Sequence, residues 1–106
     1  MLSLKPGAKL LGMRPEIFFG LVVLERIFSS YGYDTVVTEA TGGTHKDGSL
    51  HYKGLALDIR SKHIPDKDTK FSILEDAKEL LTRDFDIILE AFGTESEHYH
   101  IEYDPK

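Results

Sequence analysis

The chain has 106 residues, 41% of them hydrophobic and 29% charged, which is the composition of one globular domain with room for a single modest core. It contains no cysteine, so disulfides, thiolate metal sites and a cysteine nucleophile are excluded, and any transition metal must be held by histidine and carboxylate. Lys and Arg number 13 against 18 Asp and Glu, a net charge of −5 with no block of either sign, so a nucleic-acid partner, which needs a basic footprint, is not expected.

The N-terminal segment to about Gly12 reads as loop, with Pro6 and Gly7 as breakers. The longest apolar run, Ile17 to Leu24, is closed by Glu25 and Arg26. It falls far short of the ~20 residues that a bilayer span needs, so no membrane partner is expected. Lys5, Lys9 and Arg14 precede this run as in a signal peptide, but Pro15 and Glu16 interrupt the junction and no small-residue cleavage site follows. The expected location is therefore the cytoplasm. From Pro15, well placed at a first helical position, Ile17, Leu21, Leu24, Ile27 and Phe28 recur at three- and four-residue spacings until Gly32 stops them, which predicts a core-packing helix.

Thr35 to Glu39, TVVTE, is short and β-branched and reads as a strand opening into the loop ATGGTHKDGS. Leu55 to Arg60, LALDIR, reads as a second strand. Alternation puts Leu55, Leu57 and Ile59 on the core side and turns Ala56, Asp58 and Arg60 toward a site or solvent. After the charged loop SKHIPDKD, the stretch from about Thr69 to Arg83 carries Phe71, Leu74, Ala77 or Lys78, and Leu81 at helical spacing, a surface helix over the sheet. Asp86 to Phe92 and Glu97 to Tyr103 finish the chain as two strands, the second alternating His98, His100 and Glu102 against Tyr99, Ile101 and Tyr103. No repeat, low-complexity tract or linker divides the chain, so residues 1–106 read as one domain.

Four of the five histidines sit in two places, His45 and His51 before the second strand and His98 and His100 on the last. Residues two apart on a strand share a face about 6.6 Å apart, so only one of His98 and His100 need be a direct metal ligand while the other points into the same cleft. If the last strand pairs beside LALDIR, one of these imidazoles, Asp58 and His51 converge. Such a set leaves a fourth tetrahedral position for water, the layout of a catalytic zinc site. Glu97, three residues before His100, would reach that water as general base after a slight twist or bulge at the strand start. Taken singly, these residues have plainer readings. An H-x-H pair can be a polar solvent face, Asp58 a salt-bridge residue and Glu97 a surface charge. His63, beside Pro65 and charged neighbours, keeps its plain reading.

The run Ser49-Leu50-His51-Tyr52-Lys53-Gly54-Leu55-Ala56-Leu57-Asp58 resembles, without a gap, the S-x-H-x-x-G-x-A-x-D signature of the LAS zinc metallopeptidases. That group comprises D-Ala-D-Ala carboxypeptidases and dipeptidases, phage L-alanyl-D-glutamate endopeptidases and the hedgehog signalling domain. Glu97-His98-Tyr99-His100 resembles the second half of the family's pattern, E-x-x-H or H-x-H near the C-terminus. The resemblance implies His51, Asp58 and His100 as ligands of one zinc per chain and Glu97 as catalytic base. It implies for His98 the part of a histidine that polarises the substrate or stabilises the oxyanion. Small residues at Gly54 and Ala56 would let the chain turn tightly into the strand and keep bulk from the metal, and Ser49 would brace the loop by hydrogen bonding.

The segment from Val37 to Ile59 is most similar to hedgehog-type sequences, with Glu39 and His45 at their extra positions. Hedgehog domains also bind calcium through acidic neighbours, but TGGTHKDG offers only Asp47, which weighs against calcium here. Many bacterial members bind the substrate carboxylate with an Arg shortly before the S-x-H element. No Arg lies between Arg26 and Arg60, so Lys46, Lys53, Arg60 or His45 would have to substitute.

The fold the resemblance implies is α+β, a small, mainly antiparallel sheet with helices on one face and the site on the other, the H-x-H strand beside LALDIR. The implied function is zinc-dependent hydrolysis of peptidoglycan stem peptides, as a D,D-carboxypeptidase or dipeptidase or as an L-alanyl-D-glutamate endopeptidase. The partner would be a peptidoglycan peptide or a small D-amino-acid peptide, the protein a monomer, and a phage lysin would reach the cell wall through a holin-type pore. The alternative is a hedgehog-like zinc-binding interaction module without hydrolytic activity.

Overall fold

The structure, a computed structural model, describes residues 1–41 and 53–105. His45, Ser49 and His51 lie outside the described residues, as do Lys46 and Asp47. The fold is α+β, two helices on a five-stranded sheet of order β1-β2-β3-β5-β4. The strands are β1 (Leu2–Leu4), β2 (Thr35–Glu39), β3 (Ala56–Arg60), β4 (Phe85–Glu90) and β5 (His98–Tyr103). β1 pairs parallel to β2 and every other neighbouring pair is antiparallel.

Helix α1 (Pro15–Ser30) begins with Pro at its first turn and ends where Gly32, at φ 85°, turns the chain so that the Tyr33 amide donates to the Phe28 carbonyl at 3.0 Å. Its inner face buries Ile17, Leu21, Leu24, Ile27 and Phe28, the five positions that the spacing selects. Gly20 lies in the same stripe because the helix rides close on the sheet. A Cβ there would stand 2.8 Å from Ile101 Cδ1 and 2.9 Å from the Phe85 ring.

Helix α2 (Lys67–Leu80) starts earlier than the apolar spacing suggests, because Asp66 caps it and accepts from the Thr69 amide at 2.9 Å and the Thr69 hydroxyl at 2.7 Å. It stops before Leu81, whose backbone is extended. Ile73, Leu74, Ala77 and Leu81 enter the core, whereas Phe71 stays at the surface against Phe92, ring centroids 5.0 Å apart.

Both helices cover the same side of the sheet, where Val37, Leu57, Ile59, Ile87, Tyr99 and Ile101 are buried. The N-terminal segment, expected to be loop, contributes β1. Its Leu-Ser-Leu is too short to show periodicity, and it is held by backbone bonds, Thr35 N–H to Met1 O and Lys5 N–H to Val37 O, each 2.8 Å. His63 donates through Nε2 to the Asp34 carbonyl at 2.7 Å and stacks on Phe28, in keeping with its plain reading. No helix among the described residues is long and apolar enough to cross a membrane.

Candidate metal centre

The open face of the sheet follows from strand parity and register. β3 turns Asp58 and Arg60 outward, and β5, paired with it antiparallel, sets His100 opposite Asp58 and His98 opposite Arg60. On the other side of β5, β4 sets Ile88 opposite His100, Glu90 opposite His98 and Asp86 opposite Glu102. On β2 a register shift between Val37 and Glu39 brings Glu39 beside Asp58. The turn into β3 depends on Gly54, at φ 74°, where any Cβ would run into the Gly12 carbonyl oxygen. Lys53, in that turn, is exposed.

Asp58 lies beside both imidazoles, and Glu90 approaches them from the β4 side. Asp58 Oδ1 lies 3.0 Å from His100 Nδ1 and 3.6 Å from His98 Nε2, while Glu90 Oε1 lies 3.8 Å from His98 Nε2 and 3.9 Å from His100 Nδ1. Each imidazole is anchored by its other nitrogen. His98 Nδ1 donates to the Ser96 carbonyl at 2.7 Å, and His100 Nε2 donates to Glu102 Oε1 at 2.8 Å. A ring nitrogen fixed by a carbonyl or carboxylate while its partner faces a common point is the way proteins orient metal-binding histidines. Ligand atoms ~2.1 Å from a tetrahedral ion stand roughly 3.4 Å apart, which the 3.0 Å between Asp58 Oδ1 and His100 Nδ1 and the 3.6 Å between Asp58 Oδ1 and His98 Nε2 approach.

The electrostatics favour a cation. Burial opposes a charge on His100, but the hydrogen bonds to Asp58 and Glu102, and then their charges, outweigh it, and its pKa is pushed up to about 9. Near neutral pH the imidazolium therefore serves as the positive charge between the two carboxylates. Below it, Asp86, Glu102 and Asp104 offer carboxylate oxygens within 4.8 Å of one another, an arrangement able to hold a metal ion without selecting zinc.

Glu97 does not join this group. The residue before His98 has the parity of Tyr99, so its side chain goes to the helix-covered side, where it is 5% exposed. Oε1 accepts from the Ser61 hydroxyl and from Lys70 Nζ, both at 2.6 Å, and Oε2 accepts from the Gly93 amide at 2.9 Å. Burial raises its pKa, but the three donors, Lys70 foremost, overcome this and hold it below the usual carboxylate range. The twist that would swing it to the open face is absent.

Asp58, His98, His100 and Arg60 are thus brought together among the residues singled out from the sequence, and Glu97 is set apart. Glu90 and Glu102 are the participants that sequence reasoning missed. Glu102 was visible in the β5 alternation, whereas Glu90 needed the β4 register. A scan against protein-family models and searches of curated proteins and of solved structures found no match to this chain.

Proposed function

We propose that the open face is a zinc-centred hydrolytic site acting on peptide bonds of peptidoglycan stem peptides, of the D,D-carboxypeptidase, dipeptidase or L-alanyl-D-glutamate endopeptidase kind. The observation that carries the cation is the pairing of Asp58 Oδ1 with His100 Nδ1 at 3.0 Å, with His98 Nε2 3.6 Å from the same oxygen and the outer nitrogens of both rings tied down. The substrate class rests on the similarity of Ser49 to Asp58 and of Glu97 to His100 to the LAS metallopeptidases.

Asp58 and His100 would hold the ion together with His51. When bound, zinc supplies Lewis acidity toward a carbonyl and acidifies a water at neutral pH. The chain's own residues do the rest. Arg60, opposite His98, and Lys53 would bind a substrate carboxylate. His98, whose Nδ1–H is held by the Ser96 carbonyl, would face the reacting centre with Nε2, and Ile88, the exposed aliphatic beside His100, would meet a small apolar side chain.

Mass spectrometry of a muropeptide digest, run beside elemental analysis of natively purified protein, tests this reading. The expected result is one zinc per chain and new amine termini at a defined bond, with chelator lowering the melting temperature. The second reading, a zinc-binding interaction module, is favoured by the engagement of Glu97 with Lys70 and Ser61 on the far side of the sheet. Metal-loaded protein that releases no amine from peptidoglycan of several chemotypes would establish that reading instead.

A further inference from the structure

The partners of Glu97 come from three separate elements. Ser61 follows the last residue of β3, Lys70 lies near the start of α2, and Gly93 belongs to the connection between β4 and β5. Lys70 is engaged twice, because its backbone carbonyl accepts from the Tyr99 hydroxyl at 2.6 Å. Tyr99 is fully buried and stands edge-on to Phe28, ring centroids 5.6 Å apart. Two successive inward residues at the head of β5, Glu97 and Tyr99, are therefore fastened to one helical residue. The residues alternating with them, His98 and His100, point to the opposite face.

A strand fixed on its inner side has its outer side fixed too, since a slip of one residue exchanges the faces. The connection that leads into β5 is held in the same way. The Thr94 amide and hydroxyl both donate to the Ala91 carbonyl, at 3.1 and 2.7 Å, and the Gly93 amide is closed onto Glu97. Ala91 itself adopts φ 53°, a conformation that an L residue keeps only when its surroundings impose it.

We propose that Glu97 is a positioning residue: with Lys70 and Ser61 it forms a buried clasp beneath the sheet that sets where the His98 and His100 imidazoles stand on the other side, and it meets neither cation nor substrate itself. This rests on the cation site proposed above. It moves Glu97 from the proton-transfer part that the resemblance implies to a part played through the two histidines.

The test uses the full chain with cobalt(II) as the probe. Glu97→Gln, Lys70→Met, the double variant and Lys70→Arg are titrated with the ion, and the imidazole signals of His98 and His100 are followed by NMR in metal-free protein. Glu97→Gln is expected to weaken cobalt binding about 10–100-fold, the range typical of groups that orient metal ligands, and to alter the ligand-field absorption. Lys70→Met should match it, the double variant should be no worse than either single, and Lys70→Arg should recover most of the loss. Both single variants should also shift the two imidazole signals.

Wild-type cobalt affinity and absorption in Glu97→Gln, with unmoved imidazole signals, would overturn the proposal, as would a loss in Glu97→Gln that Lys70→Met does not share. If the wild-type chain binds no cobalt, the cation reading falls, and the imidazole signals alone decide whether the clasp positions them. If Glu97→Gln does not fold, Ser61→Ala removes one donor and leaves the ion pair, and it should shift the same signals in the same direction by less.

Discussion

Glu97 and Asp58 are two acidic residues on adjoining stretches of the same sheet, and they differ in what the sheet turns them toward. Glu97 faces the helices, meets a lysine, a hydroxyl and an amide, and has its charge fully answered within the fold. Asp58 faces outward into a group of imidazoles and further carboxylates, where the balancing charge is a titratable proton on His100. The first arrangement is closed and can only hold structure in place. The second is open to the medium, and its positive charge comes and goes with a proton. Position in the pleat, more than residue type, separates the two.

The strongest way to break the closed half is to remove one partner. Lys70→Met should destabilise the chain by about 3–5 kcal/mol in denaturant unfolding, because the Glu97 carboxylate is left buried and unpaired. Lys70→Met combined with Glu97→Gln should recover part of this. A loss below about 1 kcal/mol would show that water reaches the carboxylate.

A steric variant on the helix side comes next. Gly20→Val should cost about 3 kcal/mol, since its Cβ alone would press Ile101 and Phe85 and helix α1 would have to lift from the sheet. Thermal melts of metal-free protein check this.

The open half is sharpened by pH. Folding raises the His100 pKa from 6.5 to about 9, so its contribution to the stability of metal-free protein is complete below pH 6.5 and disappears as pH rises through 9. The loss is on the order of 3 kcal/mol. Asp58→Asn should flatten that slope and abolish cation-dependent stabilisation together, as read from melting temperatures with and without zinc. Glu97, with a lowered pKa, acts in the opposite direction, its contribution being present above its unfolded value and lost in acid.

The smallest effect is expected from Ile88→Ser on the open face. It should change stability by no more than about 0.5 kcal/mol. On the proposed function it should change turnover of peptides with an apolar side chain at the scissile bond more than it changes cation affinity.

Much of this could be read from residue spacing. Helix α1 and strand β2 follow from apolar periodicity and β-branching, and the outward turn of Asp58, His98 and His100 follows from alternation alone. The same alternation, applied one residue further, assigns Glu97 to the inner face. A motif spacing of three from His100 suggests otherwise, because a motif counts residues without regard to side. Strand β1 was hidden because its pairing is made by backbone groups, which carry no mark in the sequence. Glu90 was hidden because cross-strand neighbours are fixed by register, and the register of β4 on β5 depends on the length of the connection between them.

Strand β4 is the outer member on its side of the sheet, and an outer strand offers its backbone to any other extended chain. Along its outward face Asp86 and Glu90 bracket the exposed Ile88. Two copies meeting edge to edge would bring those carboxylates close to their counterparts, and the like charges would oppose the pairing. Acidification, or any ligand that neutralises Glu90, would weaken that opposition, and light scattering of concentrated protein would show it as the onset of self-association.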